Sequence, residues 1–161
     1  MEVPAVCDGQ QVNASDILDA LRKHHKGAAL VHEVVVTDPW AQSNHISGTG
    51  RTNHSRRIDA LMVESLQLTA IEIKVSKADL ARETWAKTVP WRRITHRYVY
   101  AVPAGLTDKA PFYGAGLWWV HEDGRVEVRK KARVQKYPEP LPQQVVQALM
   151  YRAAGKSLLD K

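Results

Sequence analysis

Apolar and polar positions alternate along the chain in a way that predicts a helix, three strands, a helical stretch, a strand, a hairpin and a last helix. Ala14 to His25 carries Ile17, Leu18 and Leu21 at helical spacing, with Asn13 or Ser15 as a cap and Gly27 beyond its end. AALVHEVVV is a β-branched run that predicts the first strand and holds Glu33 inside it. IDALMV and TAIEIKV are two further apolar runs. The polar turn around Ser65 to Leu68 joins them into a predicted β-hairpin. From Ser76 the period is helical, so SKADLARETWAK predicts a single helix with a capping serine, broken or restarted at Pro90. WRRITH is a short helical piece running into RYVYAVP, a strand that ends at Pro103. GLWWV and RVEVRKKARV flank the turn EDG as a second hairpin. LPQQVVQALMYRAAGK closes as an amphipathic helix, with Pro142 in its first turn and Gly155 past its end. The polar stretch from Thr37 to about Ser55 is long for a connection, which points to function or to disorder in it.

This order is α/β, and 161 residues predict one domain. Its core is expected at about 13–104, with a C-terminal hairpin and helix at about 113–155. Hydrophobic residues make up 44% and charged residues 25%, enough apolar material for a core and too much for wholesale disorder. No segment approaches the roughly 20 apolar residues of a membrane span, and MEVPAVCDGQ lacks the basic start and apolar run of a secretory signal. The lone Cys7 has no partner for a disulfide or a zinc cage, so a reducing cytoplasm, bacterial or phage-infected, is the expected compartment.

The net charge is +6, and its distribution matters more than its size. Lys74 to Arg97 holds seven bases against Asp79 and Glu83, and Arg125 to Lys136 holds six bases against Glu127. Such concentrated charge fits a polyanion such as DNA, or a solvated face.

Against this background, three ionisable residues fall where strands normally carry none: Asp59 in the second strand, Glu72 and Lys74 in the third. Glu72 and Lys74 are two apart and share a face, while Ile71, Ile73 and Val75 point to the other. If the two strands pair, Asp59 comes opposite Glu72. Adjacent carboxylates repel unless a cation sits between them, and Mg²⁺ or Mn²⁺ meets that demand while leaving room for water and a phosphate oxygen. A metal on Asp59 and Glu72 serves phosphodiester cleavage, with Lys74 orienting the nucleophile or stabilising charge at phosphorus. A bare ExK is more often a solvent-facing salt bridge, with Asp59 then an edge charge. Here it follows Arg57-Ile58-Asp59 and precedes a basic helix, and that conjunction favours chemistry.

RRIDALMVES, then TAIEIKVSKADL, then HRYVYAVPAGL, resembles the PD-(D/E)XK nuclease superfamily and most of all its small MmcB-like DNA-repair branch, over about half the chain. The resemblance implies a restriction-endonuclease-like αβββαβ core with a mixed central sheet flanked by helices. It also implies that Asp59 is the strand aspartate and that Glu72 and Lys74 are the (D/E)xK pair, with Ile58 standing where the motif has proline. Members often add an acidic metal ligand from the first helix or strand. Asp16, Asp19 and Glu33 are the candidates, and Glu33 is preferred because its strand should neighbour Asp59, with a core-edge or surface salt bridge as its equal alternative.

Arg56, Arg57, Lys77, Lys87, Arg92, Arg93 and Arg97 are the expected phosphate contacts, with His54 and His96 beside them. His24 and His25 read as structural at a helix C-terminus. Trp85, Trp91, Trp118 and Trp119 read as packing residues, although one of them near the basic face would suit single strands or flipped-out bases. The expectation is therefore a Mg²⁺- or Mn²⁺-dependent deoxyribonuclease of DNA repair, recombination or phage and mobile-element DNA processing. Its alternatives are a non-catalytic nucleic-acid-binding module on the same fold and an RNA-directed nuclease. Specificity would come from the Thr37 to Ser55 loop or from a protein partner, and a homodimer would supply the two sites that cutting both strands takes.

Overall fold

Asn13 starts the first helix as its place in the sequence predicts. In the computed structural model, which describes residues 11–38 and 55–156, α1 (Ala14–His24) opens on a reciprocal capping box. Asn13 Oδ1 accepts from the Asp16 N–H at 3.0 Å and Asp16 Oδ2 from the Asn13 N–H at 2.9 Å. Cys7, His54 and most of the polar stretch after Thr37 lie outside the described residues.

Six strands follow in chain order: β1 (Ala29–Thr37), β2 (Ser55–Glu64), β3 (Gln67–Ile73), β4 (Arg97–Pro103), β5 (Gly116–Val120) and β6 (Val126–Lys130). They form one sheet in that same order, β1-β2-β3-β4-β5-β6. Pairing is antiparallel from β1 to β3, parallel from β3 to β5 and antiparallel again at β6. This is the mixed α/β architecture read from the sequence. The β2–β3 turn is tighter than its sequence suggests. Ser65 and Leu66, at φ 50° and 62°, supply the left-handed pair a two-residue hairpin takes, without the usual Asn-Gly.

Two apolar layers clamp the sheet. On one face Ile17, Ala20 and Leu21 of α1 pack on Ala60, Met62, Ile71, Ile73, Val99 and Ala101. The other face has Ala70, Tyr98, Tyr100 and Val102 under Trp91, Ile94 and Val145. These last three come from α3 (Trp85–Ile94) and α4 (Gln143–Ala153). Pro142 sits at the N-cap of α4 instead of inside its first turn.

The helix expected from Ser76 to Lys87 is instead two. α2 (Lys77–Ala81) ends at Arg82, and α3 begins after Thr84, whose backbone is extended. Pro90 does not end α3 but lies within it. Its missing N–H costs one helical bond, and the burial of Trp91 and Ile94 just beyond it holds the helix together. The break before α3 carries Glu83, and its position matters below. No helix among the described residues is long and apolar enough to cross a membrane.

Candidate active site

β2 lies against two neighbours, but not along the same length. Ser55 to Ile58 pairs with β1, whereas the ladder to β3 stops at Ala60↔Ile71. Beyond that pair the sheet forks. The β1–β2 ladder also skips a step, from His32↔Ala60 to Val34↔Ile58, at Glu33 and Asp59. Val31, Val34, Ile58 and Leu61 all pack on the α3–α4 side. Three-residue spacing on one face of a strand means that both strands change face at Glu33 and Asp59. Glu33 makes the change with a left-handed φ of 52°. Arg152 of α4 holds it there, donating to the His32 carbonyl and to the Glu33 carbonyl, the latter at 2.7 Å.

The face change turns Asp59 into the fork, where its Oδ2 accepts the Ile73 N–H at 2.7 Å. By register Asp59 stands opposite Glu72, one step beyond the last ladder pair. Lys74 follows the end of β3 on the Glu72 side, with its Nζ 2.8 Å from Glu72 Oε1 and 2.9 Å from Glu83 Oε1. Glu83, only 2% exposed at its side chain, also accepts from the Tyr100 hydroxyl at 3.0 Å. A chain of contacts thus runs Tyr100–Glu83–Lys74–Glu72, with Asp59 beside it.

Burial, and then the Asp59 charge, push the Glu72 carboxyl up to about 7. Burial also raises Asp59, against the pull of the Ile73 N–H and of Lys74. Burial opposes the charge on Lys74, yet its bonds to Glu72 and Glu83 win and its pKa lies above the ordinary value. Lys74 is therefore a proton-bearing cation at neutral pH and no base. The fork opens as a small cleft of about 160 Å³ walled by Arg56, Arg57, Lys87, Glu72, Glu83 and Tyr98.

The structure brings Asp59, Glu72 and Lys74 together and places the other expected residues as follows. Glu33 pairs with Arg57 at 3.6 Å, with side chains 59% and 60% exposed. Asp16 is engaged in the α1 cap and Asp19 pairs with Arg22; both line a larger hollow of about 790 Å³ beneath α1, on the opposite face of the sheet from Glu72. Arg56 reaches the buried Asp38 at 3.3 Å, and Lys87 donates to the Arg82 carbonyl. Lys77 is exposed at the start of α2. Arg92 lies over the rings of Trp85 and Tyr98, Arg93 is held by Glu139 at 2.6 Å, and Arg97 donates to Gln67. His25 stacks on Trp118 and His96 accepts from the Leu68 N–H, both structural roles. Trp91 and Trp118 are buried, whereas Trp85 is 51% exposed.

Glu83, Tyr98 and Tyr100 escape sequence reasoning. Glu83 had one signal: it is one of two acids in the basic stretch from Lys74 to Arg97. Nothing in the pattern distinguishes the two tyrosines from other strand aromatics.

No protein-family profile and no curated protein matches the chain. Among solved structures it is similar to the SPO1766 protein of unknown function from Silicibacter pomeroyi, with a TM-score of 0.58 and 19% identity over 94% of this chain and 89% of that one. That likeness concerns the fold alone.

Proposed function

We propose that the chain is a divalent-metal-dependent deoxyribonuclease hydrolysing DNA phosphodiester bonds at the β2–β3 fork, in the manner of the PD-(D/E)XK superfamily its motifs resemble. The observation that carries this reading is the gathering of Asp59, Glu72 and Glu83 about the ammonium of Lys74, beside a cleft that Glu72 and Glu83 share with Arg56, Arg57 and Lys87 as well as Ser55 and Tyr98.

Three carboxylates around one ammonium carry an excess of negative charge, which a proton on Glu72 or a bound cation offsets. Asp59 Oδ1 and Glu72 Oε2 make no hydrogen bond among the described residues. Hard oxygen donors of this kind suit Mg²⁺ or Mn²⁺. No group of three His, Cys, Asp or Glu side chains forms a ready-made cage among the described residues. Asp59 and Glu72 would hold the ion, with water and substrate oxygens completing its shell as Mg²⁺ commonly accepts. Bound there, such an ion lowers the pKa of a water molecule and neutralises a non-bridging phosphate oxygen.

The chain's own groups divide the remaining work. Lys74 presents a fixed positive charge to the reacting phosphate. Glu83 and Tyr100 fix the Lys74 ammonium in place and keep it protonated. Arg57 and Lys87 draw the phosphodiester into the cleft, where Asp59 and Glu72 alone would repel it. A protein that only binds nucleic acid gains nothing from buried carboxylates turned toward phosphate, which favours the enzyme over the binding module. Repair, recombination and phage DNA processing are the settings that suit such an activity.

The test is incubation of the purified protein with single-stranded, duplex and branched DNA and with RNA, in Mg²⁺, Mn²⁺ or chelator. DNA cleavage that needs the metal and disappears in Glu72→Gln is expected. Failure to cleave any DNA with either metal, or equal cleavage by Glu72→Gln, overturns the reading.

A further inference from the structure

A second cavity shares a wall with the cleft. It measures about 510 Å³, and its lining includes Trp85, Arg92, Tyr98, Tyr113, Arg133 and Lys136. Tyr98 borders both spaces, so they meet across one buried ring.

Its chemistry is unusual for a surface hollow. Trp85 and Tyr113 are 51% and 79% exposed, and Trp85 meets Phe112 edge to face with 5.8 Å between ring centres. The guanidinium of Arg92 lies 4.6 Å from the Trp85 ring centre and 5.1 Å from that of Tyr98. Its Nη1 donates to the Tyr113 carbonyl, while its buried Nε and Nη2 have no hydrogen-bond acceptor among the described residues. Neither Arg133 nor Lys136 has an ion-pair partner among the described residues, in contrast to Arg93 with Glu139. The cavity thus combines exposed aromatic rings, a guanidinium stacked on two rings of its wall, and two further positive charges without ion-pair partners among the described residues. A ligand that meets all three has a planar ring and an anionic, acceptor-rich group joined by a short linker. An unpaired nucleotide is such a ligand, because every base offers a π-face and its phosphate offers the acceptors.

We infer that this cavity takes an unpaired nucleotide of the DNA strand whose neighbouring phosphate lies in the cleft, with its base on Trp85 and Tyr113 and its phosphate on Arg133 and Lys136. This rests on the proposal that DNA is the substrate and adds its form: a strand with at least one unpaired base beside the reacting phosphate. In a blunt duplex the bases are stacked inward and cannot reach the rings.

Binding of a fluorescent oligothymidylate and of a blunt hairpin duplex decides it, measured by anisotropy on the Glu72→Gln protein so that no substrate is cut. Stacking of one base on an aromatic ring carries about a tenfold change in affinity. Trp85→Ala and Tyr113→Ala should each weaken oligothymidylate binding by about that factor while leaving the duplex within about twofold. The Arg133→Ala/Lys136→Ala double variant should act in the same direction. Tyr113, Arg133 and Lys136 are exposed, so these variants report on binding even if Trp85→Ala folds poorly. Unchanged oligothymidylate affinity in Tyr113→Ala and in the double variant overturns the inference. An equal loss for duplex and single strand also overturns it, as does wild-type protein that fails to bind oligothymidylate. A wild-type protein that cuts nothing, yet binds oligothymidylate through Tyr113, sinks the nuclease proposal and leaves the nucleotide cavity standing.

Discussion

The Oδ2 atom of Asp59 receives the N–H of Ile73 at 2.7 Å, in the place a β2 carbonyl would take if the ladder ran past Ala60 and Ile71. One carboxylate therefore satisfies the backbone of β3 and holds charge in the fork. Asparagine keeps an acceptor there and loses the charge, whereas alanine loses both. Asp59→Asn should fold with near-wild-type thermal stability and lose DNA cleavage by at least about a hundredfold. Asp59→Ala should lose cleavage and also about 1–3 kcal/mol of stability, because a partly buried N–H is left unpaired. Melting curves and cleavage assays on the two variants separate the roles; equal melting temperatures would show that the bond to Ile73 is dispensable.

Glu72 gives stability a pH dependence of definite sign. Its carboxyl has an ordinary value of 4.5 and is raised to about 7 in the folded chain. Between those values the folded state binds more protons than the unfolded one, so the Glu72 contribution is complete below 4.5 and is lost as pH rises through about 7. The loss is on the order of 3 kcal/mol. In chelator the protein should melt at a higher temperature at pH 5 than at pH 8, by several degrees. Glu72→Gln should flatten that slope, and Mg²⁺ should stabilise the wild type more at pH 8 than at pH 5.

In the proposed reaction Glu83 and Tyr100 act through Lys74. Glu83→Gln should lower kcat by about tenfold or more and change KM for DNA much less, since its carboxylate is engaged by Lys74 and the Tyr100 hydroxyl. Tyr100→Phe should do the same more weakly. A rise in KM with kcat intact would place Glu83 in substrate binding instead.

Not all of the basic residues should matter equally for DNA affinity. Arg57 and Lys87 wall the cleft, while Arg93 is held by Glu139. In salt titrations on the Glu72→Gln background, Arg57→Ala and Lys87→Ala should each reduce the slope of log affinity against log salt by about 0.9 on duplex DNA. Arg93→Ala should leave it unchanged, and an Arg93 effect as large as that of Arg57 would relocate the binding face.

The turn between β2 and β3 can be improved without touching the site. Ser65 and Leu66 both have left-handed backbones, and Leu66 is 94% exposed. A side chain in that region costs about 1–2 kcal/mol per residue, which Asn and Gly reduce. Ser65→Asn with Leu66→Gly should raise the melting temperature by a few degrees and leave cleavage as it was; no rise would mean the turn bears no strain.

Much of this was legible in the sequence because it depends on local pattern. The strands at IDALMV, TAIEIKV, RYVYAVP and GLWWV, and the mixed α/β order, follow from apolar periodicity and turn residues. The pairing of Lys74 with Glu72 follows from their two-residue spacing. Long-range terms stayed hidden. The split into α2 and α3 depends on Glu83 being drawn inward to Lys74 and Tyr100, and local periodicity carries no record of that pull. The change of face at Glu33 and Asp59 breaks strict alternation, so parity alone could not say where those two side chains go. Arg93 read as a free base because Glu139 lies far along the chain.

The grip of Arg152 on the kink of β1 spans 119 residues of sequence to Glu33. Contacts that close such a long loop form late in folding, after hairpins and helices that need only near neighbours. The kink, and with it the inward turn of Asp59, is therefore expected among the last features to be secured. The Asp59 and Glu72 carboxylates are expected to meet only once the body of the protein has formed, so a half-folded intermediate would have the strands of the sheet without the fork between them.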